Sequence, residues 1–218
     1  MAPPVKNILF DWDGTLLDSY PAGFQASLAV AHHFGIPFDR ERFLATYSPN
    51  WYESYRAVGL PEEEWERADQ IWLETYARLA IQLYPFARST LSTLAAHGYL
   101  LGLVTSGNRD RVERELAVFG LERAFSVLIC YEDSARKKPH PEPLLTALEV
   151  TGQAAAQTVY VGDRPEDIRM GLSVGTFTVG VESAYGTRAE LEQAAPDLLL
   201  PDAGHLPAHF GPVSRPPC

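Results

Sequence analysis

The sequence has little cysteine, no long apolar run and few basic residues. Cys130 and Cys218 are its only cysteines, so we expect no disulfide framework, and this usage is typical of a reducing compartment. Cys130 follows the apolar residues 127–129 and is predicted to be a buried thiol. No stretch is long enough to span a bilayer, and the N-terminus lacks a secretory pattern. We therefore expect a cytoplasmic protein without a membrane partner.

Acidic residues outnumber basic ones, 28 against 18, which gives a formal net charge of −10. Such a surface repels nucleic acid and anionic membranes, so neither is expected as a partner. It also repels anionic substrates, so a phosphate site would need cations close by. The six histidines show no convincing ligand spacing, and a zinc site is not expected. The 218 residues suffice for one buried core and a small second lobe.

The order of apolar runs predicts an α/β fold. Helical patterns alternate with short apolar runs that are typical of strands, at residues 5–10, 100–104, 127–130, 158–161, 177–181 and 198–200. This alternation predicts a Rossmann-like, doubly wound parallel sheet that is covered on both faces.

A long helical stretch interrupts this alternation after the first strand. Its clearest part is 62–83, where apolar residues recur at helical spacing after Pro61. We predict a catalytic core of residues 1–17 and 85–206 with a small α-helical cap domain, residues 18–84, inserted into it. Residues 207–218 are predicted to be a tail, and the Pro- and His-rich segment from Gly204 is expected to be loosely held.

Polar residues with catalytic chemistry follow the predicted strands. They are Asp11 and Asp13 after the first, Thr105, Ser106 and Gly107 after the second, Lys137 and Lys138 after the third, and Asp163 and Asp167 after the fourth. Ligands of doubly wound sheets bind at the carboxyl ends of the strands, so we expect these residues at one rim. Carboxylates without nitrogen or sulfur ligands suit Mg²⁺, and the metal lets them share a pocket with a phosphate.

The residue types suggest a role for each group. Asp11 would be the nucleophile that forms an aspartyl phosphate. Asp13 lies on the same side of an extended segment and would protonate the leaving oxygen and later activate water. Thr105 and the backbone N–H groups of Ser106 and Gly107 would hold the phosphoryl oxygens, and Lys138 would offset their negative charge.

The predicted metal site consists of acids from two distant segments. Asp11 and Asp13 come from the first strand, and Asp163 from the fourth. Asp167 would bind the metal through water or orient the coordination shell. The alternative for Asp167 is an early-helix acid that is favoured by the helix dipole.

Four segments resemble the motifs of the haloacid dehalogenase superfamily, phosphatase branch. They are residues 11–19 (DWDGTLLDS), 104–106 (VTS), 138–141 (KPHP) and 161–168 (VGDRPEDI), in the family's order. The resemblance extends from residue 5 to about 206, and residues 138–145 and 185–188 are most similar to phosphoglycolate phosphatase-like members. It implies that Asp11 is the nucleophile and Asp13 the acid/base. It also implies that the Asp13 backbone carbonyl and Asp163 complete the Mg²⁺ shell.

The sequence departs from the family pattern at two positions. Trp12 stands where a smaller apolar residue is commoner, and Arg164 stands where serine is commoner. Neither change removes a catalytic group, although Arg164 places a cation beside the metal site. We prefer Lys138 to Lys137 as the active lysine because the family's lysine directly precedes the proline.

The leading prediction is hydrolysis of a small phosphorylated metabolite of the phosphoglycolate or sugar phosphate type, by a monomer or homodimer. The nearest alternative is a phosphosugar mutase of the β-phosphoglucomutase type, which would return the phosphoryl group to a sugar. A dehalogenase is disfavoured because that branch lacks the second acid. A non-catalytic binding module on this fold would have lost at least one essential group, and none is missing here.

Overall fold

The computed structural model describes residues 5–213. The chain forms two compact units, of which the first contains residues up to 17 and from 83 onward, and the second contains residues 18–82. Cys218 and the last residues of the predicted tail lie outside the described part. Within residues 5–213, no helix has both the length and the apolar composition that a bilayer crossing requires.

A six-stranded parallel sheet forms the centre of the first unit. The strands of the described residues are β1 Asn7–Phe10, β2 Leu17–Asp18, β3 Gln82–Leu83, β4 Leu100–Val104, β5 Val127–Ile129, β6 Thr158–Gly162, β7 Phe177–Val181 and β8 Leu198–Leu200. The order in the sheet is β5-β4-β1-β6-β7-β8, whereas β2 and β3 pair separately. Helices cover both faces, which confirms the predicted doubly wound fold.

The strand order reverses at β1, and folds of this type have a crevice at such a reversal. The chain runs from β1 to β4 and β5 on one side and then crosses to β6 on the other. Phe10 is level with Leu103 of β4 and with Val161 of β6. The residues that follow these three strands therefore leave the sheet at one edge, where such folds bind ligands.

The strands are apolar because both of their faces are buried. All four residues of β1 are buried, and β6 is buried throughout. Continuous apolar runs of this kind are typical of parallel sheets between two helical layers. One buried cluster consists of Leu9, Val104, Val127, Ile129, Leu144, Ala147, Leu148, Tyr160 and Met170.

Ten α-helices lie within the described residues: α1 Tyr20–His33, α2 Arg40–Thr46, α3 Trp51–Val58, α4 Trp65–Tyr76, α5 Ala87–Ala96, α6 Arg109–Val118, α7 Glu142–Thr151, α8 Pro165–Val174, α9 Arg188–Ala194 and α10 Leu206–His209. The side chain of Asn108 caps α6 by accepting a hydrogen bond from the Arg111 N–H. Helix α8 has Pro165 in its first turn and ends at Gly175 with φ of 84°. Both are common signals of helix ends.

The inserted unit is helical but differs from the sequence prediction at its C-terminal end. Residues 62–83 form a short 3₁₀ turn, Glu62–Glu64, then α4, and finally the strand β3. Leu79 and Ile81 follow the helix and still pack against a buried cluster that contains Tyr76. Their apolar character is thus satisfied without a continuous helix, because tertiary packing overrides local periodicity.

The segment after Gly204 is held more firmly than its composition indicates. Leu206 is fully buried. The Tyr99 hydroxyl donates to the Gly211 carbonyl at 2.8 Å, and the Val213 N–H donates to the His97 carbonyl at 2.8 Å. The expectation of a loosely held segment is therefore wrong for residues 204–213, because the buried Leu206 and hydrogen bonds to Tyr99 and His97 hold this Pro- and His-rich stretch.

Candidate active site

Lys138 joins two of the predicted acids at the carboxyl edge of the sheet. Its Nζ donates to Oδ1 of Asp11 and to Oδ1 of Asp167, each at 2.8 Å. The side chain of Lys138 is only 2% exposed, so this ion pair is shielded from water. The neighbouring Lys137 instead donates to the backbone carbonyls of Tyr131 and Ser134. The structure therefore brings Lys138, and not Lys137, to the acids.

Asp163 lies beside the loop that follows β1. Its Oδ2 accepts a hydrogen bond from the Ser183 hydroxyl, and its Oδ1 accepts one from the Thr15 hydroxyl at 3.4 Å. Gly14 has φ of 79°, and a Cβ at this position would lie 2.2 Å from Asp163 Oδ2. A side chain at Gly14 would therefore meet the carboxylate, and the positive φ favours glycine as well.

Three buried carboxylates form a candidate site for a divalent cation. Asp11, Asp163 and Asp167 each offer one oxygen, and these oxygens lie within 4.8 Å of one another. Lys138 supplies one positive charge against three negative ones. Hard oxygen ligands with excess negative charge suit a divalent cation, so the residues present fit a metal of this kind. The carboxylate of Asp13 is not part of the group.

The electrostatics of the cluster also indicate a place for added positive charge. Burial raises the pKa of Asp11 to about 7; Lys138 opposes this rise, whereas the carboxylates of Asp167 and Asp13 add to it. Burial, followed by the charges of Asp11 and Asp167, raises the pKa of Asp163 well above its ordinary value. The negative charge of these carboxylates thus exceeds the positive charge nearby. A bound cation would offset both burial and the mutual repulsion of the carboxylates, which are the two causes of the raised pKa values.

Asp167 is held from three directions. The Tyr160 hydroxyl lies 3.1 Å from its Oδ1 and 2.9 Å from the Val104 carbonyl, and the Arg164 N–H donates to its Oδ2 at 3.1 Å. Asp167 therefore caps the first turn of α8 and also meets Lys138. The sequence left two roles open for Asp167, a residue of the metal shell and an acid of the first helical turn. The two roles are compatible, because its two oxygens have separate partners.

The predicted phosphate loop lies between β4 and α6. Thr105 is buried, and its backbone N–H donates to the Ile129 carbonyl at 2.9 Å. Its hydroxyl oxygen accepts the N–H of Gly107 at 3.0 Å. Because a hydroxyl that accepts one bond can still donate its own proton, Thr105 retains a donor for a phosphoryl oxygen. Ser106, between them, is partly buried.

Asp13 is paired with an arginine that the sequence analysis did not single out. Arg111 Nη1 donates to Asp13 Oδ1 at 3.0 Å, and Nη2 donates to Oδ2 at 2.6 Å. Both side chains are largely buried, at 8% exposed for Arg111 and 17% for Asp13. The predicted acid/base is thus fixed by a two-point ion pair, which gives orientation as well as attraction.

The two departures from the family pattern have defined contacts. The Trp12 indole N–H donates to Glu115 Oε2 at 2.7 Å. The Arg164 guanidinium donates to the Tyr185 carbonyl, and a Cβ on Gly186 would lie 2.7 Å from its Nη1. Arg164 therefore supports the loop that carries Ser183, the donor to Asp163.

Sequence reasoning missed four residues of the site: Arg111, Glu115, Tyr160 and Ser183. The Arg111 and Glu115 pair has i,i+4 spacing on the same helix face as Val112 and Leu116, which are buried. A charged pair beside apolar positions of the same helix was the sequence signal that could have identified Arg111 and Glu115. Tyr160 and Ser183 had none, because a strand tyrosine and a loop serine are ordinary in such positions.

The sequence matches the model of a known family, haloacid dehalogenase-like hydrolase, over residues 8–181. Pyrophosphatase PpaX of Bacillus pumilus is 31% identical over 212 residues, which cover 95% of this chain and 97% of that protein. A phosphoglycolate phosphatase of Yersinia pestis is 31% identical over 218 residues, with 94% and 90% covered.

Solved structures show the same similarity. A predicted phosphoglycolate phosphatase from Haemophilus somnus superposes with a TM-score of 0.85 at 26% identity, over 94% of this chain and 97% of the other. CbbY from Rhodobacter sphaeroides, solved in complex with phosphate, has a TM-score of 0.77 at 25% identity, over 93% and 96%. The motifs, the sheet order and these matches agree, and the chain belongs to the haloacid dehalogenase-like hydrolase family.

Proposed function

We propose that this protein is a Mg²⁺-dependent phosphatase that hydrolyses a small phosphate monoester through an aspartyl phosphate on Asp11. The observation that carries the proposal is the meeting of Asp11 with Lys138, Asp163 and Asp167 at the point where the strand order reverses. The names of the curated relatives, phosphoglycolate phosphatase and pyrophosphatase, support the same chemistry.

In the first step, a carboxylate oxygen of Asp11 attacks phosphorus. The bond from this oxygen to phosphorus forms while the bond from phosphorus to the leaving oxygen breaks. Asp13, in its protonated form, gives its proton to the leaving oxygen; a protonated carboxyl group still has lone pairs that can accept from the Arg111 N–H groups. Lys138 holds Asp11 Oδ1 at 2.8 Å and so limits the orientations of the nucleophile. The Thr105 hydroxyl donates to a phosphoryl oxygen.

In the second step, water attacks the phosphorus of the aspartyl phosphate. Asp13, now ionised, accepts the proton of the water, and the bond between phosphorus and the Asp11 oxygen breaks. Inorganic phosphate leaves and the Asp11 carboxylate is restored. The 17% exposure of the Asp13 side chain is compatible with access to water.

The metal would be held by Asp11, Asp163 and the backbone carbonyl of Asp13, with Asp167 bound through water or orienting the shell. When bound, Mg²⁺ would neutralise charge on the carboxylates and on the transferring phosphoryl group. Lys138 alone does not balance the cluster, which is why the proposal includes a cation. The cluster of carboxylates supports a divalent ion, and Mg²⁺ is proposed because all of the candidate ligands are oxygen atoms.

Two substrate classes deserve direct comparison. The motifs and the name of the Yersinia pestis relative favour phosphoglycolate or a sugar phosphate as the substrate. Inorganic pyrophosphate is a second candidate because the Bacillus pumilus relative is a pyrophosphatase. A solved structure with a mutase designation, from Bacteroides vulgatus, is 24% identical with a TM-score of 0.79, and this likeness shows the fold alone.

The test is a panel of p-nitrophenyl phosphate, phosphoglycolate, sugar phosphates and pyrophosphate, assayed for phosphate release with Mg²⁺ and with EDTA. We expect Mg²⁺-dependent turnover of at least one physiological compound. Folded protein that releases no phosphate from any of them would refute the proposal. A sugar phosphate that is isomerised without phosphate release would establish the mutase alternative instead.

Two variants test the nucleophile. We expect Asp11→Asn to abolish turnover while the protein stays folded. The matched control is Asp18→Asn, since Asp18 lies nearby in the sequence and accepts a hydrogen bond from the Gln82 side chain at 3.2 Å. Normal rates in the Asp11 variant, or equal losses in both variants, would contradict the assignment.

A further inference from the structure

The contact between Arg111 and Asp13 is part of a larger buried network. Arg111 Nη1 also lies 3.0 Å from Glu115 Oε1. Glu115 is 5% exposed and accepts the Trp12 indole N–H on its other oxygen at 2.7 Å. A continuous path of hydrogen bonds therefore runs from Trp12 through Glu115 and Arg111 to the carboxylate of Asp13.

The guanidinium of Arg111 has little room to move. A Cβ on Gly107 would lie 2.4 Å from Arg111 Nη2. The predicted phosphate loop thus passes directly over the guanidinium, and only glycine permits this approach without a shift. Glu115 fixes the guanidinium on one side, and the backbone of Gly107 confines it on the other.

The network holds buried charged groups in a precise arrangement. Glu115 and the Arg111 guanidinium are buried and the Asp13 carboxylate is partly buried. Such groups are weak contributors to stability compared with apolar residues of similar size. A bidentate arginine does, however, fix the plane of a carboxylate in two directions. This fixation matters for Asp13 because proton transfer to a leaving oxygen depends on placement, and an error of about 1 Å can reduce a rate roughly 100-fold.

We infer that Arg111 is a positioning residue for the acid/base Asp13 and that Glu115 and Trp12 hold Arg111 in place. The inference rests on the proposed phosphatase function, since it assigns how that site orients its proton donor. It also gives a role to Trp12, the larger side chain found between the two acids. Arg111 acts through Asp13 and is not assigned a contact with substrate.

The experiment compares two leaving groups. Wild type and Arg111→Met are assayed for kcat/KM on an alkyl phosphate from the active panel and on 2,4-dinitrophenyl phosphate, whose leaving oxygen needs no proton. We expect the variant to lose about 100-fold on the alkyl ester and less than about tenfold on the aryl ester. The control is Arg114→Met, on the same helix, whose guanidinium donates to the Asp110 carbonyl at the surface.

Two further measurements separate positioning from binding. Inhibition by inorganic phosphate should be unchanged within about threefold in Arg111→Met, because the residue is not assigned to the phosphoryl group. In Arg111→Ala, added guanidinium at non-denaturing concentration should restore alkyl ester hydrolysis selectively. Equal losses on both esters, or a large loss of phosphate affinity, would show a binding or structural role and overturn the inference.

Milder variants keep the inference testable if Arg111→Met fails to fold. Arg111→Lys retains the charge but loses the two-pronged geometry, and Glu115→Gln retains an oxygen acceptor but loses the ion pair. Each should lose activity mainly on the alkyl ester. Full alkyl activity in both would refute the positioning role. Inactivity of the wild type on every phosphate would instead refute the proposed function, so the two failures are distinguishable.

Discussion

Replacing Asp11 by asparagine should stabilise the metal-free protein while it abolishes turnover. Asp11, Asp163 and Asp167 lie close together, Lys138 pairs with the first and the last of them, and Asp11 is 8% exposed. Asparagine has nearly the shape of protonated aspartic acid but cannot ionise. The variant therefore removes the cost of a buried charge without leaving a cavity.

The size of the effect follows from the pKa of Asp11, which burial raises from 3.8 to about 7. This carboxyl group ionises at a lower pH in the unfolded chain than in the folded protein. It therefore lowers the free energy of unfolding as the pH rises. Its unfavourable contribution begins above pH 3.8 and grows until the pH passes the folded-state pKa. At about 1.36 kcal/mol for each pH unit, it reaches about 2 kcal/mol at pH 5 and about 4 kcal/mol at pH 8.

The assay is denaturation of wild type and Asp11→Asn in EDTA at pH 5 and pH 8. We expect the variant to be the more stable protein at both, with a Tm advantage of roughly 10 °C at pH 8 and about half of that at pH 5. Added Mg²⁺ should narrow the difference by stabilising the wild type. A variant that is less stable than wild type at pH 8, or a difference independent of pH, would refute this account of the cluster. Asp18→Asn is the control and should show no such trend.

Further predictions concern three other positions. Lys138→Met should have the opposite effect to Asp11→Asn. We expect the free energy of unfolding in EDTA to fall by about 3–5 kcal/mol, because the variant leaves buried carboxylates without their positive partner. Unchanged stability in urea unfolding would contradict this. Gly14→Ala should lower both stability and metal affinity, since the new methyl would meet Asp163 Oδ2 at 2.2 Å, and calorimetric Mg²⁺ titration equal to wild type would exclude that clash. Burial raises the pKa of Cys130 to about 12, so in a Cys218→Ser background its reaction with a disulfide reagent at pH 8 should be about a thousandfold slower than in the denatured chain; equal rates would show an accessible thiolate.

The strand ends illustrate what can be predicted from sequence. Asp11, Thr105 and Asp163 each follow an apolar run, and parallel strands present their carboxyl ends together. That rule suffices to place these residues at one edge. The same rule predicts that the loop with Lys137 and Lys138 lies at this edge, but it does not choose between them. The choice of Lys138 depended on resemblance to a family motif. The contacts of Lys137 with two backbone carbonyls show physically why its neighbour is the one that reaches Asp11.

The network around Asp13 could not be predicted in the same way. Arg111 and Glu115 lie in a helix with many charged residues, where an i,i+4 pair usually marks a solvated face. Their burial depends on the close approach of Gly107, which lies four residues before Arg111, and on Trp12, which is about 100 residues away in the sequence. The early end of α4 has a similar cause, because Leu79 and Ile81 pack against the cluster that contains Tyr76 although their segment is not helical.

The most direct test of the central claim is to trap the phosphorylated enzyme. Protein that is turning over its best substrate with Mg²⁺ is quenched in acid and reduced with borohydride, which converts an aspartyl phosphate to homoserine. Peptide mass spectrometry should then find homoserine at position 11 in the wild type and none in Asp11→Asn. Homoserine at another aspartate, or unmodified Asp11 in an enzyme that shows a burst of product release, would contradict the assignment of Asp11 as the nucleophile.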